Sequence, residues 1–236
     1  MLAILYDVHG NLPALEAVLD DAAAAGADAY LLGGDYAAFG AWPVDCVTRL
    51  RGLGDAATWI HGNWERWQAR PDEAIDNPVV RSANDAARAA LGDDLVAELG
   101  RLPFTTTLDG TVFCHASPLS DVESFTVEPD IDHDERLLAP IAAPKPFAGR
   151  VVFGHTHIQF TRGTDVAVVL VNPGSVGLPW DGDTRAAYAL LERRHDRIDL
   201  RRVDYDVDAA AGALDAIDAP WAATTAKRLR AARFEV

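Results

Sequence analysis

Five short segments place donor side chains where apolar runs end: Asp7-Val8-His9, Gly34-Asp35, Gly62-Asn63, His115 and Gly154-His155-Thr156-His157. Their seven donors are Asp7, His9, Asp35, Asn63, His115, His155 and His157, three oxygen ligands and four imidazoles. Carboxylates and amides suit hard cations, whereas imidazole suits borderline transition metals. The mixture points to two divalent ions held side by side, Mn²⁺ or Fe²⁺/Zn²⁺ first, with Ni²⁺ and Co²⁺ also fitting. The spacing of two in Asp7/His9 and His155/His157 aims both side chains of each pair the same way at a strand end. Taken singly the segments are weak. Asp7 could cap a helix, Gly34-Asp35 is a common turn, and a lone His115 is more often a core histidine. Their joint occurrence, in this order, is what makes a site. His61, His133 and His195 lack such context and read as surface or supporting residues.

The elements that must carry these donors follow from periodicity. Residues 2–6 are an apolar run that reads as a buried strand, and Leu15, Val18, Leu19 and Ala22 recur at helical spacing over 13–25. Asn11 or Leu12 stands near the cap of that helix, Pro13 in its first turn and Gly26 at its end. Strands follow at 29–32 and 57–60, separated by a helix over 43–53. Asp7, Asp35 and Asn63 lie 28 residues apart in succession, the length of one strand–helix–strand unit. The three should therefore stand at equivalent ends of parallel strands. Residues 64–102 break this rhythm and predict a helical insert over or beside the site. A hairpin is expected at 104–108 and 111–114, with further strands at 150–153, 166–171, 186–191 and 197–203. The Ala-rich stretch from Asp208 predicts helix. The fold class is α/β, one domain over 1–236, with sheets flanked by helices.

Composition narrows the partners. Net charge is −15, and duplex nucleic acid is disfavoured because binding it needs Lys and Arg to displace counterions. Asp supplies 27 of the 36 acidic residues and Arg outnumbers Lys 19 to 2, a bias that GC-rich codon usage explains first and adaptation to high salt second, and on which nothing about function depends. Cys46 and Cys114 sit in apolar stretches without CxxC spacing and read as core residues of a reducing compartment. No apolar run approaches ~18 residues and no basic leader precedes the first strand. The expectation is a soluble, cytoplasmic protein that does not enter the membrane, with a homo-oligomer left open.

The donor set resembles the signature of the calcineurin-like metallophosphoesterases, and Asn172-Pro173-Gly174-Ser175 also looks like a segment of their small prokaryotic, phosphodiesterase-like branch. The resemblance runs from residue 1 to about 205. It implies a four-layer α/β/β/α sandwich with a dinuclear site at the carboxyl ends of strands. Asp7, His9 and His157 would then bind one metal, Asn63, His115 and His155 the other, and Asp35 would bridge them. The implied activity is hydrolysis of a small soluble phosphodiester or activated phosphoester by metal-bound hydroxide. Two divalent ions against Asp7 and Asp35 leave about +2, a local field able to hold phosphate in an acidic protein.

Trp64 departs from the family pattern. Many members carry histidine directly after Gly-Asn, where it is thought to protonate the leaving oxygen, and an indole N–H cannot release its proton near neutral pH. The aspartate that would orient such an acid is also missing, since Tyr36-Ala37-Ala38-Phe39-Gly40 follows Gly34-Asp35. General-acid assistance is typically worth ~10²–10⁴-fold, so poor leaving groups should react slowly. The bland reading makes Trp64 a hydrophobic wall of the pocket. Asn11, Arg66 and Arg70, with Arg81 and Arg88, are the candidate substrate contacts, although a helical arginine is usually a solvated charge. Trp64, Trp67 and Trp180 could stack on a flat group. A metal-binding scaffold of the same fold with little activity is the competing reading: the intact donor set weighs against it and the lost acid weighs for it.

Overall fold

Four consecutive apolar residues, Leu2–Leu5, are buried on both faces and form β1, the middle strand of a five-stranded sheet. The computed structural model describes residues 1–142 and 149–235. β2 (Ala29–Leu32) and β3 (Ala57–Trp59) run parallel to β1, in register Leu2↔Ala29 and Tyr30↔Ala57. The second sheet takes β4 (Thr105–Leu108), β5 (Thr111–Cys114), β6 (Gly149–Val152), β7 (Phe160–Gly163) and β8 (Val168–Asn172) in the order β4-β5-β6-β8-β7. Of these, β5, β6 and β8 are parallel, and β4 closes the expected hairpin onto β5. β9 (Ala186–Glu192), antiparallel to β1, and β10 (Arg197–Val203), antiparallel to β9, complete the first sheet.

Strand alternation assigns each face its own partner. Leu2, Ile4, Tyr6 and Leu31 meet Phe113, Val152 and Val171 between the sheets. On the other face Ala3, Leu5 and Leu32 pack against Leu15, Val18 and Leu19 of α1 (Leu12–Ala24) and Val47 and Leu50 of α2 (Pro43–Arg51). The outer face of the second sheet, Val112, Val151 and Leu170, covers Leu137 and Leu138 of α6 (Ile131–Ala142). The result is helix, sheet, sheet, helix. Asn11 caps α1, its side chain accepting from the Ala14 N–H at 3.3 Å. Cys46 and Cys114 are free and buried.

The insert is helical as expected, with α3 (Asn63–Ala69), α4 (Pro78–Leu91) and α5 (Asp93–Leu99). Two elements have no counterpart in the sequence expectations. α6 shows only a pair of adjacent leucines among acids, with Pro140 inside it. β7 is a short, half-exposed edge strand. They are joined by a pair that periodicity cannot reveal: Arg162 of β7 donates to both oxygens of buried Asp134, at 2.6 and 2.7 Å. The C-terminal α7 (Val207–Asp215) and α8 (Pro220–Ala231) do more than end the chain. They share one apolar cluster with Trp64 and Trp67 of α3 and Ala83 and Ala87 of α4, so insert and C-terminal pair stand together beside the strand ends. Among the described residues no helix is long and apolar enough to cross a membrane.

Candidate metal centre

The seven donors all follow parallel strands at their carboxyl ends. Asp7 and His9 leave β1, Asp35 leaves β2, Asn63 opens α3 after β3, His115 directly follows β5, and His155 and His157 follow β6. Their donor atoms gather as two neighbouring groups, Asp7/His9/His157 and Asp35/His115/His155. Asn63 joins the second, its Oδ1 lying 3.0 Å from His155 Nδ1. Asp35 stands between the groups: its Oδ2 is 3.2 Å from His115 Nε2 and 3.8 Å from His9 Nε2.

The backbone is bent to make this cluster. Asp7, His9, Asp35, His155 and His157 have φ of 54°, 48°, 59°, 65° and 58°. Left-handed backbone at a residue with a Cβ costs about 1–3 kcal/mol each, and persists only where surrounding contacts over-determine it. Among those contacts are bonds from β8 and the loop that follows it. Ser175 Oγ donates to the Asp7 carbonyl at 2.7 Å, and Asn172 Nδ2 reaches the Gly154 carbonyl and Thr156 Oγ1, both at 2.9 Å. The loops also approach too closely for side chains. A Cβ on Gly34, itself at φ 98°, would lie 2.4 Å from Gly62 N, and one on Gly62 would lie 2.2 Å from Asp35 Oδ1.

The hydrogen bonds fix which imidazole nitrogen is left for a cation. Nδ1 of His9 faces the Ala38 carbonyl at 2.9 Å, that of His115 the Gly33 carbonyl at 2.8 Å, and that of His157 the Leu178 carbonyl at 2.5 Å. A carbonyl only accepts, so each Nδ1 carries its hydrogen and each neutral ring presents a lone pair at Nε2. The Nε2 atoms of His9 and His157 then confront each other at 3.1 Å, lone pair to lone pair. Asp7 Oδ1 and His115 Nε2 are buried without a well-formed hydrogen bond, the nearest opposite charge to the latter being Asp35 Oδ2 at 3.2 Å. Converging, unsatisfied electron pairs are what a bound cation satisfies, and these residues fit two divalent ions.

Charges respond accordingly. Burial pushes the His9 and His155 pKa values down to about 4, so both are neutral and free to bind metal. Burial would depress His115 too, but the adjacent Asp35 carboxylate outweighs it and raises His115 to about 10. Burial favours protonated Asp35 and Asp7, yet His115 and His157 respectively hold them below the usual carboxylate range.

Glu65, absent from the sequence candidates, organises the centre from behind. Fully buried, it accepts N–H bonds from Asp35 (2.8 Å), Tyr36 (2.9 Å) and Gly62 (2.8 Å). Burial, and after it the charge of Asp35, pushes its pKa up to about 7 against the pull of those three donors. Its position three residues after Gly62, at the start of α3, is the spacing of a helix-capping glutamate, and that signal could have found it. Glu65→Ala should strand three buried N–H groups at about 1–3 kcal/mol each and loosen metal binding by about 10–100-fold. Denaturant midpoints and Mn²⁺ titration check both, with Glu65→Gln expected to lose less.

Trp64 is a wall. It is 5% exposed and packs edge-to-face on Phe39 (4.8 Å) and Trp67 (5.1 Å), while its backbone N–H donates to Asp35 Oδ1 at 3.0 Å. The centre opens into a cavity of about 390 Å³ lined by Trp64, Trp67 and Trp180. The arginines expected to enter it are engaged elsewhere. Arg66 pairs with Asp121 (2.6 and 2.8 Å) and Glu73 (2.8 Å), and Arg70 is exposed beside Glu73. Arg81 pairs with Asp76 and Arg88 bonds the Gln68 carbonyl. Asn11 spends its amide on Gly177 O and Tyr205 Oη. The cavity's cation is instead Arg228 of α8, accompanied by Thr224 and Phe234.

A model of the calcineurin-like phosphoesterase superfamily domain matches residues 1–196, which include all seven donors. The chain belongs to this superfamily. An uncharacterised protein of Methanocaldococcus jannaschii is 28% identical over 234 residues, covering 89% of this chain and 90% of its own. The crystal structure of a metallophosphoesterase from Sphaerobacter thermophilus superposes with a TM-score of 0.79 at 26% identity, covering 98% and 99% of the two chains. A hypothetical protein of Pyrococcus horikoshii shares the fold at a TM-score of 0.82 and 18% identity, covering 97% and 98%. α7 and α8 lie beyond the residues that the superfamily model matches.

Proposed function

We propose that this phosphoesterase hydrolyses a small soluble phosphodiester or activated phosphoester at a dinuclear centre held by Asp7, His9, Asp35, Asn63, His115, His155 and His157. The observation that carries this is the set of mutually facing, unsatisfied donor atoms on left-handed backbone, with Asp35 shared between its two halves. Mn²⁺ or Fe²⁺/Zn²⁺ suits the donors, and two such ions would acidify a shared water and polarise the phosphoryl oxygens. The chain's own work is positional. Asp35 spans both halves while the Trp64 N–H holds its other oxygen, and the carbonyls of Ala38, Gly33 and Leu178 keep three imidazoles in the tautomer that presents Nε2.

Proton supply decides the substrate's leaving group. Outside the donor set, the polar side chains lining the cavity among the described residues are those of Asn77, Thr224 and Arg228, with the indoles of the tryptophans. None titrates near neutrality. The leaving oxygen must therefore depart without a side-chain acid, which favours diesters of acidic alcohols. After removal of bound metal and reconstitution with Mn²⁺, the expected result is faster turnover of bis-p-nitrophenyl phosphate than of p-nitrophenyl phosphate, with solvent oxygen-18 entering the product. Absence of hydrolysis of both esters with Mn²⁺, Ni²⁺, Co²⁺ and Mg²⁺ would instead favour the scaffold reading, which the missing acid motivates.

A further inference from the structure

The cavity above the metal centre has a second half, to which the helical insert and, beyond the residues the superfamily model matches, Thr224, Arg228 and Phe234 contribute. The insert contributes Ile75, Val79 and Val80 to the cavity lining, and the segment after α8 contributes Phe234. Ile75 is 55% exposed and Phe234 51%, large apolar side chains presented to solvent at one cavity. Apolar side chains exposed at a cavity mouth suit contact with a ligand's apolar part. From the centre outward the Phe234 rim is a run of ring contacts. Trp180 stacks on the donor His157 (3.8 Å, 16°), Phe234 meets Trp180 at 4.7 Å, and the Arg228 guanidinium lies over Phe234 at 4.0 Å. Arg228 Nε also donates to the Phe234 carbonyl at 2.8 Å, which fixes the head group. Among the described residues no carboxylate pairs with it, although the chain carries 36 acidic residues and most other arginines of the structure are paired. A half-buried, unpaired cation fixed at the end of an aromatic wall suits a ligand's negative charge.

We propose that, granted the phosphoesterase reading above, the natural substrate carries two recognition groups besides its reacting phosphoryl. One is a flat aromatic group seated between the Ile75–Val80 rim and Phe234, and the other is a further negative charge met by Arg228. The cavity, about 390 Å³, falls in the size range of small-ligand sites, roughly 300–1,000 Å³. The chemistry is that of an aryl- or base-bearing phosphoester with a second anionic group. Specificity thus comes from the insert and α8, and reactivity from the donors on the strand ends.

Non-hydrolysable phosphonates separate these contributions by equilibrium binding. Titration calorimetry on the Mn²⁺-loaded full chain would compare methylphosphonate, phenylphosphonate, and meta- and para-carboxyphenylphosphonate. The expected order is phenyl over methyl by roughly five- to a hundredfold, from aromatic contact. At least one carboxyphenyl isomer should gain about tenfold more from its charge. Phe234→Ala should shrink the phenyl-over-methyl ratio. Arg228→Gln should abolish the carboxylate gain while keeping that ratio, and Arg228→Lys should recover part of the gain. If Arg228 merely tethered the terminal segment, Arg228→Gln would lower the phenyl-over-methyl ratio as Phe234→Ala does. Equal binding of methyl and phenyl, or a carboxylate gain that survives Arg228→Gln, overturns the proposal and leaves the phosphoesterase reading intact. Failure of methylphosphonate itself to bind, with no hydrolysis of bis-p-nitrophenyl phosphate, overturns both.

Discussion

Asp35→Asn should lower the turnover of bis-p-nitrophenyl phosphate by roughly 10³-fold or more while the chain still folds. Asp35 reaches both donor groups through one oxygen, 3.2 Å from His115 Nε2 and 3.8 Å from His9 Nε2, where Asp7 Oδ1 comes no closer than 3.8 Å to His115. The amide preserves shape and can still accept the Trp64 N–H that now meets Oδ1 at 3.0 Å. What it removes is the charge shared between two cations. A metal pair supplies several kcal/mol of transition-state stabilisation, and each 1.36 kcal/mol is a factor of ten in rate, hence the magnitude. A binding readout accompanies the rate. Mn²⁺ should raise the melting temperature of the parent protein by mass action, and the rise should shrink in Asp35→Asn. Near-normal turnover in the variant would remove Asp35 from its bridging place.

The site was readable from the sequence because its donors are local punctuation. Each closes an apolar run, and the repeated interval of 28 residues places Asp7, Asp35 and Asn63 on adjacent parallel strands, as β1, β2 and β3 do. Periodicity likewise reported α1, the hairpin of β4 and β5, and the helical character of the insert. What stayed hidden depends on contacts between distant residues. α6 and β7 are held by the Asp134–Arg162 pair and carry too little apolar pattern to announce themselves. The arginines of the insert looked available because their partners are invisible in sequence: Asp121 lies 55 positions from Arg66. Arg228 had no distinguishing sequence signal: it is one charge on an Ala-rich helix until α8 packs against α4 and brings it to the cavity beside the candidate centre. Reactive groups sit at strand ends, where sequence order dictates position. The proposed specificity cation, Arg228, sits on a packed helix, where only the fold does.

Metal binding should expel a proton from His115, making the apparent affinity for Mn²⁺ climb about tenfold per pH unit through neutrality. A cation needs the Nε2 lone pair, because Nδ1 is committed to the Gly33 carbonyl at 2.8 Å. In the metal-free chain burial works against protonation of that ring. The Asp35 carboxylate at 3.2 Å wins and lifts its pKa to about 10, so at pH 7 the site to be metallated holds a proton. His9 and His155, pushed down to about 4 by burial, have none to lose. The sign follows. As pH rises toward 10 the competing proton becomes easier to remove and affinity increases, flattening once His115 is neutral without metal. As pH falls toward 4, protonation of His9 and His155 adds to the competition and affinity drops more steeply. Calorimetric Mn²⁺ titrations in buffers of different ionisation enthalpy, at pH 7, 8 and 9, count the released protons directly. His115→Ala should release about one fewer than the parent, and binding that is indifferent to pH over this range would show that Asp35 does not hold His115 protonated.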